Sequence, residues 1–105
     1  MLAPAFFSDI NEYMRMRISY AQYRVGSTWY RVPATGVETK VMDDGTVRVK
    51  VNVNSDIPVN VNRLEIYNTG GQLWRYLDTD ISIGVGQSGI LFWLDFTVRE
   101  VVKEV

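Results

Sequence analysis

The stretch Val37-ETKVMDDGTVRVKVNV-Asn54 decides the fold class. Valines at 47, 49, 51 and 53 alternate there with Arg48, Lys50, Asn52 and Asn54. Successive side chains of a strand point to opposite faces, so the pattern predicts one buried face and one wetted face, as in an antiparallel sheet. Val37–Met42 leads into this strand through Asp43-Asp44-Gly45, and Asp-Gly between alternating runs is a strong hairpin signal.

Strand signals continue on both sides. Ile18–Val25, closed by Gly26-Ser27, and Thr28–Val32 read as a hairpin that Pro33 ends, because proline cannot donate to a ladder. After the break Ser55-Asp56-Ile57-Pro58, the apolar phase runs through Val59 and Val61 and then slips to Leu64 and Ile66, which predicts a bulge or a new strand near Arg63. Asn68-Thr69-Gly70-Gly71 is a second strong turn, joining Leu64–Tyr67 to Gln72–Leu77, and Asp78-Thr79-Asp80 reads as the end of that hairpin. Ile81–Val85 is a weaker strand signal before a glycine-spaced loop. Gly89–Val98 is the last strand, with a core stripe of Ile90, Phe92, Leu94, Phe96 and Val98. Leu91 and Trp93 face the other way, so its first half is expected to be central or covered. The tail Arg99–Val105 can extend the strand or turn helical.

Composition agrees with sheet. Val, Ile and Thr supply 15, 7 and 7 of the 105 residues, against 6 Leu and 4 Ala. β-branched side chains suit a pleated surface, whereas Leu and Ala favour helix. The expectation is an all-β chain: a small antiparallel β-sandwich or partly open barrel of about seven strands with a short N-terminal helical leader. Residues 1–17 form the leader and 18–105 a single β-domain. Within the leader, Asp9 with Glu12 suggests a helix cap, and the helix is expected over about Asp9–Met14, passing into a strand near Met16.

The same composition excludes much chemistry. The chain has no histidine and no cysteine, which removes imidazole-based catalysis, thiolate or imidazole metal ligation, and disulfides. Eleven basic and 12 acidic residues give a net charge of −1 and form no basic run. Tyr20, Tyr23, Arg15, Arg17 and Arg24 mix aromatic and basic groups, but the overall balance argues against a nucleic-acid partner. No apolar stretch is long enough to span a membrane, and Met1–Asp9 lacks the basic region of a signal peptide. Gly84-x-Gly86-x-x-Gly89 precedes a strand instead of a helix, which rules out a dinucleotide fingerprint. Asp78 and Asp80 lack the further oxygen ligands of a calcium loop, and no spacing selects a glycosidase pair. The expectation is a non-enzyme with no cofactor and no metal.

Two residue sets remain as candidates for binding. Leu2, Phe6, Phe7, Ile10, Tyr13 and Met14 make an apolar arm suited to docking on its own domain or on a neighbour. Trp29, Tyr30, Trp74, Tyr76 and Trp93 fall on or beside strands, where they serve as core, as a protein interface, or as stacking surfaces for a ligand.

Three stretches, Gly36-VETKVMDDGTVRVKVNV-Asn54, Arg63-LEIYNTGGQLWRYLD and Gln87-SGILFWLDFTV, resemble small proteins encoded in the tail and baseplate gene blocks of phages and prophages of Gram-positive bacteria. The resemblance covers residues 36–98, about 60% of the chain. It implies a virion or virion-associated β-domain, made in the host cytoplasm and carried in the tail or baseplate. The partners it implies are further copies of the chain or other virion proteins, and it transfers no catalytic residue. A carbohydrate-binding β-module, with the surface aromatics stacking on a cell-surface glycan, is the alternative reading.

Overall fold

The computed structural model describes residues 2–55, 57–84 and 89–98. One helix, α1 (Pro4–Arg17), precedes seven strands: β1 (Ile18–Val25), β2 (Thr28–Arg31), β3 (Val37–Val41), β4 (Val47–Val53), β5 (Val59–Asn68), β6 (Leu73–Ile83) and β7 (Ile90–Phe96). A 3-10 turn at Ala34–Gly36 links β2 to β3. The strands build two antiparallel sheets, ordered β2-β1-β5-β6 and β3-β4-β7. The all-β sandwich with a helical leader is thus the observed architecture, and no barrel closes. Residues 85–88 and the tail 99–105, for which strand, loop or helix were the expectations, lie outside the described residues.

β4 is the centre of the smaller sheet, and its valines are among the best-buried side chains: Val47, Val49 and Val51 at 0% exposure and Val53 at 1%. Ala21, Val61, Leu64, Ile66 and Ile83 from the larger sheet join them in one core cluster with Phe92 and Leu94 of β7. The Asp-Gly turn forms as expected. Gly45 takes φ 85°, which a residue with a Cβ resists, and Thr46 N–H donates to the Asp44 carboxylate at 2.9 Å.

Four expectations are corrected. The helix begins at Pro4 instead of Asp9. Proline's fixed φ and missing N–H suit a first helical position, and the extended Ala3 before it needs no side-chain cap. Asp9 therefore sits mid-helix, and Glu12 pairs with Arg15. The helix also runs through Met16 to Arg17 before Ile18 turns extended, so β1 follows with no loop.

The second correction concerns Asp78-Thr79-Asp80, which lies inside β6. Val61 pairs with Ile81 and Arg63 with Asp78, so Asn62 alone opposes Thr79 and Asp80. This bulge breaks the alternation without taking the chain out of the sheet. It also explains the phase slip on β5, which continues as one strand with Val61 and Leu64 both in the core.

Third, Leu91 and Trp93 are not on a central strand among the described residues, and no neighbouring strand covers them. β7 pairs only with β4 among the described residues, and these side chains are 53% and 57% exposed. Fourth, Val98 lies beyond the end of β7 and is 37% exposed, so the core stripe stops at Phe96.

Gly36 lays the 3-10 turn flat on β4. A Cβ there would stand 2.8 Å from Val32 Cγ1 and 3.1 Å from the Asn52 carbonyl oxygen. The Gly36→Ala variant is expected to lose about 1–3 kcal/mol in urea unfolding through this overpacking. Gly70→Ala, whose nearest neighbour is at 3.4 Å, should change little and serves as the control.

Candidate functional site

Helix α1 divides the predicted arm in two. Phe7, Ile10 and Met14 are half-buried, and Met14 packs on the core cluster. Asn11, between them, is 4% exposed and donates from Nδ2 to the Gly45 carbonyl at 2.5 Å, tying the helix to the β3–β4 turn. Its Oδ1 is buried with no hydrogen-bond partner among the described residues. Leu2, Phe6 and Tyr13 instead point outward, at 39%, 41% and 57% exposure. Met16 joins them at 66%. Positions 6, 9, 13 and 16 of the helix step by three and four residues, so Phe6, Tyr13 and Met16 form one stripe interrupted only by Asp9, with Leu2 exposed ahead of the helix. Met16 was missed because its alternation with Met14, Ile18 and Tyr20 read as strand. Extending the helix back to Pro4 would have put it in phase with Tyr13. Beside the stripe, Leu2, Phe7 and Asn11 face Val41, Met42 and Gly45 across a cleft of about 530 Å³.

The five strand aromatics do not form one surface. Trp29 and Tyr76 lie on the outer face of the larger sheet, whereas Tyr30 pairs with Tyr23 on its inner side, the rings stacked 5.4 Å apart. Trp74 is the extra residue of a second β6 bulge and packs on the core. Trp93 belongs to the outer face of the smaller sheet. The five are thus divided among the core and separate faces of the two sheets. The basic-aromatic set is likewise dispersed: Arg15 and Arg17 end the helix, Tyr23 faces inward, and only Tyr20 and Arg24 share the outer face.

That outer face is ordered by register. One row across β2, β1, β5 and β6 reads Arg31, Gln22, Glu65, Tyr76, and the next reads Trp29, Arg24, Arg63, Asp78. Tyr20 and Tyr67 pair beside them, stacked at 4.9 Å with planes 8° apart. Guanidinium groups lie over the rings: Arg31 on Tyr20 at 3.8 Å, Arg63 on Tyr76 at 4.0 Å and Arg24 on Trp29 at 5.5 Å. Trp93 is covered in the same manner by Arg48 at 4.7 Å and Lys50 at 5.3 Å. Cations thus occupy ring faces that a sugar would need, which weakens the open stacking surface and favours rigid, interface-like aromatics.

Glu65 anchors the centre of this face at 7% exposure. It accepts hydrogen bonds from the Tyr67 hydroxyl at 2.6 Å, Gln22 Nε2 at 2.9 Å and Arg63 Nε at 3.1 Å. Burial pushes its carboxyl up, but these three donors outweigh burial and hold it below the usual carboxylate range. The same hydrogen bond to Glu65, helped by burial, pushes the Tyr67 hydroxyl up to about 12. Sequence reasoning did not single out this network, because β1 and β5 are separated by some 40 positions and their register carries no local signal. On the other sheet, a two-pronged bond from Arg48 at 2.9 and 3.0 Å holds Asp95 below its ordinary range.

The residues weighed for metal or catalysis are engaged otherwise. Asp78 faces Arg63 at 3.4 Å, and Asp80 accepts from Asn60 at 2.6 Å. Among the described residues no three acidic groups gather as a metal site, and no helix is long and apolar enough to cross a membrane. Compared with protein-family models, curated proteins and solved structures, the chain matches none.

The Tyr67–Glu65 bond sets an alkaline dependence. A phenol ionises near 10 in the unfolded chain but near 12 when folded, so its contribution is complete below about pH 10 and is lost as pH rises toward 12. Tyr67→Phe is expected to cost about 1 kcal/mol near neutral pH, discounted for partial exposure. Urea unfolding should show the gap between wild type and Tyr67→Phe narrowing above about pH 10.

Proposed function

We propose that the chain is a non-enzymatic assembly module of a phage or prophage particle, acting in the tail or baseplate by protein–protein contact. The observation that carries the mode of action is the outward stripe of α1: Phe6, Tyr13 and Met16, with Leu2 just ahead of the helix, are exposed while the neighbouring face of the same helix packs on the sandwich. The particle context rests on the sequence resemblance over residues 36–98.

Magnitudes shape the contact. The four side chains leave roughly half their area exposed, on the order of 400 Å² in all. A standard interface buries about 800 Å² per partner, and ordering costs consume much of the roughly 25 cal/mol gained per Å². The stripe therefore supplies the centre of the contact, and the cleft beside it, between Phe7 and Met42, supplies the margin. A second copy meeting the stripe about a two-fold axis satisfies this with one surface on each protomer.

Light scattering after size exclusion, at two loading concentrations, tests the reading. Wild type is expected at a multiple of 12.0 kDa, and the Phe6→Ser/Tyr13→Ser double variant at 12.0 kDa with its β-sheet circular dichroism and thermal midpoint retained. Phe7 is left unchanged, because its half-buried ring supports the helix on its own domain. A wild-type monomer at both concentrations overturns self-assembly. A double variant that keeps the wild-type mass removes the stripe from the interface.

A further inference from the structure

Four strands end the two sheets among the described residues, and three of them carry a device that hinders pairing with a further strand. β2 is four residues long, β3 presents Glu38 and Lys40, and β6 is broken by two bulges. β7 has none of these. Its seven residues pair with β4 without a register shift, hold no proline or glycine, and carry one charge, Asp95.

The pairings fix what the free side of β7 presents. Met42 N–H donates to the Thr46 carbonyl, which makes these two a hydrogen-bonded pair of the β3–β4 hairpin. Such pairs alternate along a ladder, so Arg48 and Lys50 turn their backbone groups to β3, and Val47, Val49, Val51 and Val53 turn theirs to β7. Phe96, Leu94, Phe92 and Ile90 answer those valines. Leu91, Trp93 and Asp95 therefore direct N–H and C=O away from β4. The Asp95 carbonyl agrees, because it accepts from Arg75 Nη1 of β6 at 2.7 Å. On that side of Leu91 and Trp93 no strand lies among the described residues, and their side chains stand 53% and 57% exposed.

We infer that this edge pairs with β7 of a second copy, antiparallel about a two-fold axis at Trp93, so that the two smaller sheets join into one. The register is self-complementary: Trp93 meets its own counterpart, Leu91 meets Asp95, Phe92 meets Leu94, and Ile90 meets Phe96. Residues with outward backbone groups thus face one another, with two N–H···O=C bonds at each such pair. The Asp95 carbonyl has a second lone pair for this beside the one Arg75 takes. A shift of one residue would instead set those groups against residues already bonded to β4. No like charges are opposed, and Arg48 already neutralises Asp95. Seven residues of one edge cover less than the about 800 Å² per partner of a stable interface, so the pair is transient in dilute solution and the masses expected of the α1 variant stand. Beside the α1 contact, the edge gives each copy a second self-complementary surface, from which many copies build a ring or an array. That consequence rests on the assembly reading, whereas the edge pairing itself does not.

The chain has no cysteine, so one introduced thiol reports one position. Trp93→Cys and Leu91→Cys, both on the exposed outer face, are oxidised in the full chain with glutathione disulfide and read on a non-reducing gel. Cα atoms of a hydrogen-bonded pair lie about 5.5 Å apart, within disulfide reach, whereas the two Leu91 positions stand about 14 Å apart in this register. Trp93→Cys is therefore expected to form covalent dimer at least about tenfold faster than Leu91→Cys, in the Phe6→Ser/Tyr13→Ser background as well. In the ¹⁵N-labelled wild type, amide exchange at Leu91 and Trp93 should slow between dilute and millimolar samples, with Phe92 and Leu94 unchanged. Equal rates for the two thiols, or no covalent dimer, overturns the inference. So does a dimer lost with Phe6→Ser/Tyr13→Ser, which places the copies by α1 alone. Protection of Leu91 and Trp93 that ignores concentration also overturns it, since the occupant then comes from within one chain. A wild-type monomer in light scattering beside a position-specific Trp93→Cys dimer sinks the α1 reading and leaves this one standing.

Discussion

The structure depends on the burial of one valine stripe. Val47, Val49, Val51 and Val53 occupy the central strand of the smaller sheet, none more than 1% exposed. β4 holds β3 on one side, from Val37 opposite Val51 to Val41 opposite Val47, and β7 on the other, from Phe96 opposite Val47 to Ile90 opposite Val53. A slip of one residue would turn the stripe to solvent and bring Arg48 and Lys50 into the core, so the register of three strands is fixed by one alternation. The stripe also sets the thickness of the core. Its partners are Ala21, Val61, Leu64, Ile66 and Ile83, with Phe92 the one buried aromatic among the described residues. This core, rich in valine and isoleucine, takes Trp74 and Tyr23 only at its margin and leaves Trp29, Tyr30, Tyr76 and Trp93 exposed.

The aromatics displaced from that core give the molecule its surface character. Trp29, Tyr76 and Trp93 sit outside, and each is overlain by a cationic side chain. Tyr20 lies between a guanidinium and the ring of Tyr67, whose hydroxyl in turn bonds Glu65. Such stacking removes rotamer freedom before any partner arrives, which lowers the ordering cost of binding on these faces. It also separates roles. Arg63 is spent on Glu65, Asp78 and Tyr76, whereas Arg31, among the described residues, is held by its face over Tyr20.

How much of this was legible follows from the range of each signal. β1 was readable as Ile18–Val25 from local alternation closed by Gly26, and the β3–β4 hairpin from Asp-Gly. The slip near Arg63 correctly marked a bulge, but the same bulge disguised β6, because Thr79 and Asp80 share one partner position and look like a loop. The helix start was hidden for a different reason: Ala3 offers no capping side chain, and the signal lay in Pro4. Exposure of Leu91 and Trp93 was not legible, since an apolar two-faced strand reads the same in the middle of a sheet and at its edge. The rows that place Arg31, Gln22, Glu65 and Tyr76 in line depend on pairings across the chain that no local pattern encodes. The stripe on α1 was half-read, with Leu2, Phe6 and Tyr13 named among inward residues and Met16 left out.

The balance of forces on α1 explains why this element is the natural place for assembly. Met14 and the half-buried Phe7 and Ile10 hold it against the sandwich, and the Asn11–Gly45 bond fixes its position. Working against them is the buried Asn11 Oδ1, which has no hydrogen-bond partner among the described residues; an acceptor so desolvated costs about 1–3 kcal/mol. The helix thus contributes less to the fold than its apolar content suggests, because Phe6, Tyr13 and Met16 keep roughly half their area exposed. A partner that covers them adds its binding free energy to the docked helix alone, and docking then strengthens with partner concentration. The β4 stripe needs no such help, since its valines are buried within one chain. In the assembly we propose, covering the stripe would therefore strengthen the docking of the leader more than the folding of the sandwich.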